Sequence, residues 1–247
     1  PKQVDEFVNE VLNETQIKAL KDGIEIDFSF EIPDVARFRA NIFNQNSGEA
    51  EVFRAIPSAI PTLNELGLGE IFKKLALLPR GLVLITGPTG SGKSSTQAAM
   101  VDYINKNRGY HILTIEDPIE FVHESKKCLI NQREVGRDTQ SFSQALRSAL
   151  REDPDVVVVG EMRDLETIRL AMTAAETGHL VFATLHTTSA ALTINRIIDV
   201  FPAEEKDMIR SMLSDSLQAV VTQTLLKKVG GGRIAAHEIM IGIPAVR

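Results

Sequence analysis

A run of glycine and polar residues has the spacing of a phosphate-binding loop, or P-loop. The pattern Gly-x-x-x-x-Gly-Lys-Ser is met by Gly87, Pro88, Thr89, Gly90, Ser91, Gly92, Lys93 and Ser94. The motif directly follows a short apolar run and precedes a helical pattern, which is the context it requires. Glycines let backbone amides curve around phosphate oxygens, and the amino terminus of the following helix favours an anion. A glycine-rich turn without a ligand is the alternative, but the flanking elements predict nucleotide binding.

Each polar side chain of the P-loop has an expected role. Lys93 should reach the β and γ phosphates, and the Ser94 hydroxyl should bind the Mg²⁺ that accompanies ATP at such loops. Ser95 completes the predicted nucleotide-binding set, with capping or packing as its expected contribution.

Hydrolysis also requires carboxylates near the γ phosphate, and two segments supply them. Glu161 follows the apolar run 156–159 after one glycine, which is the form of a Walker B element. We expect it to hold Mg²⁺ through water, and polarising the attacking water is a second, catalytic role open to it. Residues 115–120 carry Glu116, Asp117 and Glu120 within five positions. Such crowding is typical of a solvated loop, but a cation makes it tolerable beside a P-loop. Glu120 is the predicted general base.

Two histidines bracket the apolar run 180–185, and one therefore lies at each end of the predicted strand. This spacing does not favour a shared metal. His186, at the carboxyl end, could sense the γ phosphate or link the site to a neighbouring subunit. His179 is either a second functional residue or a polar residue at a strand entrance.

Cations are needed to spread charge on the γ phosphate in the transition state. Arg37, Arg39 and Arg54 are the candidates. They lie far from the P-loop in the sequence, so they could serve the nucleotide of a neighbouring subunit. An exposed strand face with ordinary surface arginines is the alternative.

The elements that must position these residues fall into two groups. Residues 1–57 predict a small α+β unit with helical spacing up to Gly23, strict alternation over 24–32 and 36–42, a turn at 44–48 and a third strand at 52–56. Residues 58–68 are the predicted linker, and the stretch near Pro57 to Pro61 is the predicted hinge. Thr62 and Glu65 form a capping box expected to start a helix.

Residues 69–247 predict an α/β domain with a parallel sheet. Apolar runs at 82–86, 111–115, 156–159 and 180–185 suit buried parallel strands. Helical patterns begin at Lys93, Ser141, Asp164, Ser189 and Ala203, and residues 233–241 predict a late strand.

Composition excludes several classes. With 43% hydrophobic residues the chain can bury a globular core, but no apolar run approaches the roughly 18 residues of a membrane span. The amino terminus lacks a signal-peptide pattern, so the expected location is the cytoplasm. A net charge of -6 disfavours nucleic acid as a partner. The single cysteine, Cys128, excludes an internal disulfide and a four-cysteine zinc site, and we expect it to be a buried strand residue.

Four ordered motifs resemble those of the secretion ATPase family across essentially the whole chain. Residues 87–94 resemble its Walker A motif and residues 114–120 its Asp box. Residues 150–164 (LREDPDVVVVGEMRD) resemble its Walker B motif, and residues 177–186 (TGHLVFATLH) its His box. The resemblance implies functional roles for the matching positions Lys93, Glu120, Glu161, His179 and His186.

The resemblance further implies a PAS-like amino-terminal domain, a RecA-like carboxyl-terminal domain and a ring of six subunits. In such a ring, arginines like Arg37, Arg39 and Arg54 approach the nucleotide from the small domain. It also implies that the ring lies at the cytoplasmic side of the inner membrane, at the base of a pilus, and acts on a membrane platform protein without inserting into the bilayer. Family members continue beyond both ends of this chain, with carboxyl-terminal helices after Arg247.

Within the family, the retraction subclass is favoured. The four-cysteine element typical of extension ATPases is absent, and residues 123–139 resemble the subclass that retracts type IV pili in twitching motility. The alternatives are a pilus extension or type II secretion ATPase, a DNA-dependent RecA-like translocase, and an adaptor that senses nucleotide without hydrolysis.

Overall fold

Two sheets organise the chain in this computed structural model, which describes residues 2–33, 35–46, 48–57 and 59–246, with side chains from Glu6 onward. The smaller compact unit comprises Pro1–Ala59 and Pro118–Val122, and the larger comprises Ile60–Asp117 and His123–Arg247. Ser58, where the predicted linker begins, lies outside the described residues. The predicted domain limits stay a prediction.

The smaller unit is built on an antiparallel sheet. Helices α1 (Lys2–Val11) and α2 (Glu14–Lys21) precede strands β1 (Ile26–Ile32), β2 (Ala36–Gln45) and β3 (Gly48–Ile56). The predicted helices and strands are confirmed, although β2 and β3 extend further than expected and narrow the predicted turn. Ser47 in that turn lies outside the described residues. Alternation places Phe28 of β1 and Ala40 and Ile42 of β2 on one face of the sheet, where all three are buried.

The larger unit is built on a seven-stranded sheet with the order β10-β9-β4-β8-β7-β5-β6. Its helices are α3 (Glu70–Ala76), α4 (Lys93–Asn107), α5 (Phe142–Ala149), α6 (Leu165–Glu176), α7 (Ala190–Asp199) and α8 (Lys206–Ser216). Its strands are β4 (Gly81–Thr86), β5 (His111–Glu116), β6 (Leu129–Glu134), β7 (Val156–Val159), β8 (Leu180–Leu185), β9 (Leu217–Lys227) and β10 (Arg233–Ile241).

All pairings from β9 to β6 in this order are parallel, and β10 alone runs antiparallel to its neighbour β9. Every residue of β4, β7 and β8 is buried, because apolar clusters cover both faces of the sheet. The four predicted buried strands and the α/β class are therefore confirmed. Ser141, Asp164 and Ser189 are the N-caps of α5, α6 and α7, which confirms three predicted helix starts.

Sequence patterns missed two strands. β9 follows α8 without an intervening turn, so no glycine or proline separates the helical pattern from the strand. β6 lies at a sheet edge and is mostly exposed or partly buried, with polar residues in its second half, which weakens its apolar signal. The predicted helix at Ala203 begins as a short 3-10 turn, Ala203–Glu205, and α8 itself starts at Lys206.

The expected helix at Thr62 is wrong. Both capping bonds form, since Thr62 N donates to Glu65 Oε2 at 2.7 Å and Glu65 N donates to Thr62 Oγ1 at 3.2 Å. The segment nevertheless stays a turn, because Gly67 adopts a left-handed conformation with φ of 69° and the next helix starts only at Glu70. Leu63 and Leu68, inside the predicted linker, are buried in the core of the larger unit.

Polar residues of α4 anchor the segment that leads into β6. The buried Asp102 carboxylate pairs with Lys106 at 2.5 Å and Lys126 at 2.6 Å. The Asn105 side chain accepts from the backbone amides of Lys126 and Cys128. Cys128 is buried as expected, but it lies just before β6 rather than within a strand, and burial raises the pKa of its thiol.

His123 lies at the start of this anchored segment. Burial lowers the pKa of its imidazole to about 4, an effect that the nearby Asp102 opposes and Lys126 reinforces. Its Nδ1 is buried and has no hydrogen-bond partner among the described residues. The neutral ring is therefore the form that the fold accommodates.

Among the residues that the structure describes, none of the helices has the length and apolar character needed to cross a bilayer.

The buried imidazole predicts a stability that falls in mild acid. Between pH 6.5 and pH 4 the unfolded chain binds a proton at His123 that the folded chain does not, so folding stability decreases as the pH falls through this window. Urea unfolding at pH 7 and pH 4.5 should show that the wild type loses about 2 kcal/mol more than His123→Gln over this interval. His111→Gln is the matched control, because that imidazole bonds Asn131 at an exposed position. Equal pH dependence in the wild type and His123→Gln would contradict the prediction.

Candidate nucleotide site

The P-loop connects the buried strand β4 to helix α4, as its sequence predicted. Gly87, Gly90 and Gly92 all have positive φ, at 137°, 77° and 88°. Side-chain-bearing residues rarely adopt this backbone conformation, so the loop curves where only glycine is free of strain. Gly92 ends the curve directly before Lys93, the first residue of α4. The helix amino terminus is thus available to an anion.

Gly87 is also required by its surroundings. A Cβ at this position would lie 2.2 Å from the Gln223 carbonyl oxygen of β9 and 2.7 Å from Ser91 Oγ. The Ser91 hydroxyl is itself buried and has no hydrogen-bond partner among the described residues. A tight glycine curve with an unpaired polar group fits a loop that a phosphate completes.

The Lys93 side chain folds back over the P-loop. Its Nζ donates to Gly87 O at 2.8 Å and to Pro88 O at 3.2 Å, and it lies 3.5 Å from His186 Nδ1. The side chain is buried, so these oxygens compensate for the loss of water around the ammonium group. A bound phosphate would offer the same ammonium group a negative charge at the mouth of the loop.

Glu161 lies just beyond the carboxyl end of β7. One carboxylate oxygen is 3.0 Å from His186 Nε2 and the other is 2.8 Å from the Arg163 guanidinium. Burial acts to raise the pKa of this carboxyl group, but the Arg163 and His186 contacts outweigh burial and lower it below its ordinary value. The residue is therefore ionised at neutral pH, as a metal-binding or water-orienting carboxylate must be.

The ends of β4, β8 and β7 thus meet in one chain of contacts, in which His186 connects Lys93 to Glu161. Arg163 extends it to β5, since its guanidinium also lies 3.6 Å from Asp117. Arg163 was not among the predicted site residues. The only signal was its position two residues after Glu161, which does not by itself indicate a contact.

Threonines around His186 stabilise the strand ends. The Thr184 hydroxyl donates to Gly160 O, and the Thr184 carbonyl accepts from Met162 N at 3.0 Å. Thr187 pairs with Thr193 of α7 through their hydroxyls at 2.6 Å. These contacts connect the ends of β7 and β8 to the loops that carry Glu161 and His186.

The predicted arginines and the predicted general base belong to the smaller unit. Arg39 pairs with Asp27 at 2.6 Å and with Glu120 at 3.4 Å. Arg37 donates to the Ile119 carbonyl at 3.1 Å. Arg54 is exposed on β3 directly opposite Arg39 in the strand register. The structure therefore places the three arginines on one sheet and the Glu120 carboxylate beside Arg39, while their catalytic roles stay predictions.

His179 lies at the opposite end of β8 from His186. Its Nδ1 contacts the Ala174 carbonyl at 2.9 Å and the Thr177 hydroxyl at 3.3 Å. It also lines a cavity of about 300 Å³ at the amino ends of the strands, together with Tyr110 and Asp155. Six strand residues separate it from the P-loop end of the sheet. The implied functional role of His179 stays a prediction.

Fold and site together define a P-loop ATPase with a parallel α/β sheet. The family model described as "Type II/IV secretion system protein" matches residues 18–233. The chain belongs to this family, which confirms the predicted resemblance to secretion ATPases.

Two type IV pilus ATPases are similar to this chain in sequence. The chain is 70% identical over 246 residues to the type IV pilus retraction ATPase PilT of Pseudomonas aeruginosa, covering all of this chain and 72% of that protein. The type IV pilus assembly ATPase PilB of the same organism is 40% identical over 210 residues, covering 82% of this chain and 35% of that protein.

A solved structure of the pilus retraction motor PilT with bound ADP matches with a TM-score of 0.92 and 52% identity. The match covers 98% of this chain and 70% of that one. The predicted fold class, an α/β ATPase domain preceded by a small α+β unit, is confirmed.

The two glycine environments predict unequal effects of the same substitution. Gly87→Ala should weaken ADP binding by about 100-fold or more, because the methyl group meets the Gln223 carbonyl at a strained φ. At Gly90 a Cβ meets no atom within 4 Å, so Gly90→Ala adds only the strain of a positive φ. This substitution should therefore weaken ADP binding roughly tenfold. Titration calorimetry with ADP measures both. Similar losses in the two variants would show that the contact with β9 is unimportant.

Proposed function

We propose that this chain is the motor core of an ATPase that powers retraction of type IV pili in twitching motility. The observation that carries the proposal is the 70% identity to a retraction ATPase over the whole chain, against 40% to an assembly ATPase. The P-loop and the contact network of Lys93, His186 and Glu161 supply the groups that ATP hydrolysis needs.

Mg²⁺ is the proposed metal, held by the Ser94 hydroxyl and, through water, by Glu161. A hydroxyl and an ionised carboxylate are hard oxygen donors of the kind Mg²⁺ prefers, and the nucleotide phosphates supply further oxygens. Among the described residues no cluster of three or more His, Cys, Asp or Glu side chains could hold a metal by itself. Bound there, Mg²⁺ would neutralise charge that develops on the phosphates.

This chain's own residues divide the work of hydrolysis. Lys93 binds the β and γ phosphates. His186 contacts Lys93 through Nδ1 and Glu161 through Nε2, so it couples phosphate binding to the position of the Glu161 carboxylate. Glu120 accepts the proton of the attacking water as general base. Its proximity to Arg39, at 3.4 Å, keeps a cation beside that carboxylate.

We further propose that six copies form a ring in which Arg37, Arg39 and Arg54 act on the nucleotide of a neighbouring subunit. Arg54 is the strongest candidate, because its side chain is exposed on β3 directly opposite Arg39, which pairs with Glu120. The ring would lie at the cytoplasmic face of the inner membrane, at the pilus base. Successive domain closures around the ring, with the stretch near Pro57 to Pro61 as the hinge, would move a membrane platform protein.

Glu161→Gln should lower ATP turnover by about 100-fold or more, since the amide is uncharged and cannot orient water or a metal as the carboxylate does. ADP affinity should change little, because the phosphates contact the P-loop. Steady-state turnover with saturating Mg²⁺ and ATP, beside ADP titration, separates the two effects.

Glu166→Gln is the matched control for this substitution. Glu166 also pairs with an arginine, Arg147, but it does so at the surface of α6. Full turnover by Glu161→Gln would show that the assignment of Glu161 is wrong.

The ring predicts that two inactive variants rescue each other. Lys93→Ala should abolish nucleotide binding, and Arg54→Ala should lower turnover by about 100-fold or more. If Arg54 acts on a neighbour's nucleotide, mixing the two variants equally restores interfaces with an intact lysine and an intact arginine. About a quarter of random interfaces would be of this kind, so turnover should recover to about that fraction.

Light scattering, run beside the turnover assay over a range of protein concentrations, should show that activity per chain rises with assembly. Mixtures no more active than their components would place Arg54 outside a shared site. Stimulation by added DNA would instead favour a nucleic-acid translocase, which the net charge of -6 disfavours.

A further inference from the structure

β9 lies directly beside the strand that enters the P-loop. Thr86 of β4 is in register with Thr222 of β9, and their hydroxyls are 2.8 Å apart. The next residue of β9, Gln223, is 2% exposed and lies against the loop itself. Gln223 belongs to none of the four motifs that sequence analysis identified.

Gln223 contacts the P-loop region at three separate points. Its Nε2 donates to the Ser91 carbonyl at 2.7 Å, and its Oε1 accepts from the Thr96 hydroxyl of α4 at 2.9 Å. Its backbone carbonyl occupies the space that a Cβ on Gly87 would need. One residue therefore touches the start of the loop, its middle and the following helix.

These contacts act on a segment that has little rigidity of its own. Gly87, Gly90 and Gly92 have wide conformational freedom. Ordering them on nucleotide binding reduces the binding free energy unless the protein already holds them in place. A buried amide with both ends bonded is a fixed support, because rotating it would leave a donor and an acceptor unpaired.

We infer that Gln223 is a positioning residue for nucleotide binding, which holds the P-loop in the shape that receives phosphates. It acts through Ser91 and Thr96 and is not itself a ligand of the nucleotide. This role rests on nucleotide binding at the P-loop and is independent of pilus retraction.

Gln223→Ala should weaken ADP binding by about tenfold, the factor expected when one buried hydrogen-bonded support is lost. Thr222→Val is the matched control. It removes a buried side-chain hydrogen bond from the adjacent position of the same strand, to Thr86 rather than to the loop. Both variants should lose stability in urea unfolding, but Thr222→Val should keep ADP affinity within about twofold of the wild type.

Turnover measurements add a second readout. A support for the loop should raise the KM for ATP more than it lowers kcat, because the loop contacts the nucleotide in the ground state as well. Equal loss of affinity in Gln223→Ala and Thr222→Val would indicate a general structural effect and overturn the inference.

Thr96→Val keeps the proposal testable if Gln223→Ala does not fold. It preserves side-chain volume and removes the bond that orients the Gln223 amide, so ADP affinity should fall by roughly three- to tenfold. Affinity within about twofold of the wild type in Thr96→Val would also overturn the inference. Loss of retraction with normal ADP binding would concern the proposed motor function and not Gln223.

Discussion

Parallel pairing of β4, β8 and β7 decides where the charged groups of the site can lie. Because parallel strands all end at the same edge, the P-loop, His186 and Glu161 are delivered there by segments far apart in the sequence. The fully buried strands contain no charged side chain, so the charged groups lie beyond their ends. A buried sheet and a charged site are therefore two results of the same arrangement.

Charge compensation at that edge follows a consistent rule. The Lys93 ammonium group is buried among carbonyl oxygens, and each oxygen of Glu161 meets a cationic or potentially cationic group. Burial would otherwise favour the neutral form of the Glu161 carboxyl group. The Arg163 and His186 contacts lower its pKa and keep it charged, so little electrostatic reorganisation is needed when phosphates arrive.

The sequence was sufficient to predict the features that depend on residues close together in the chain. The P-loop, the buried strands and the N-caps of α5, α6 and α7 each depend on a few neighbouring residues, and sequence analysis found them. The support from Gln223 was not predictable in this way, because 132 residues separate it from Ser91. At Thr62 the local signal was correct for the capping bonds but not for a helix, since Gly67 redirects the backbone.

The small unit is discontinuous along the chain. Pro118–Val122 belongs to it, although the residues on both sides belong to the larger unit. The polypeptide therefore crosses between the units three times, and no single cut yields both in whole form. Isolated residues 1–59 would lack the Ile119 carbonyl and the Glu120 carboxylate that Arg37 and Arg39 contact. An amino-terminal segment transplanted onto another ATPase would therefore lack part of the small unit's own structure.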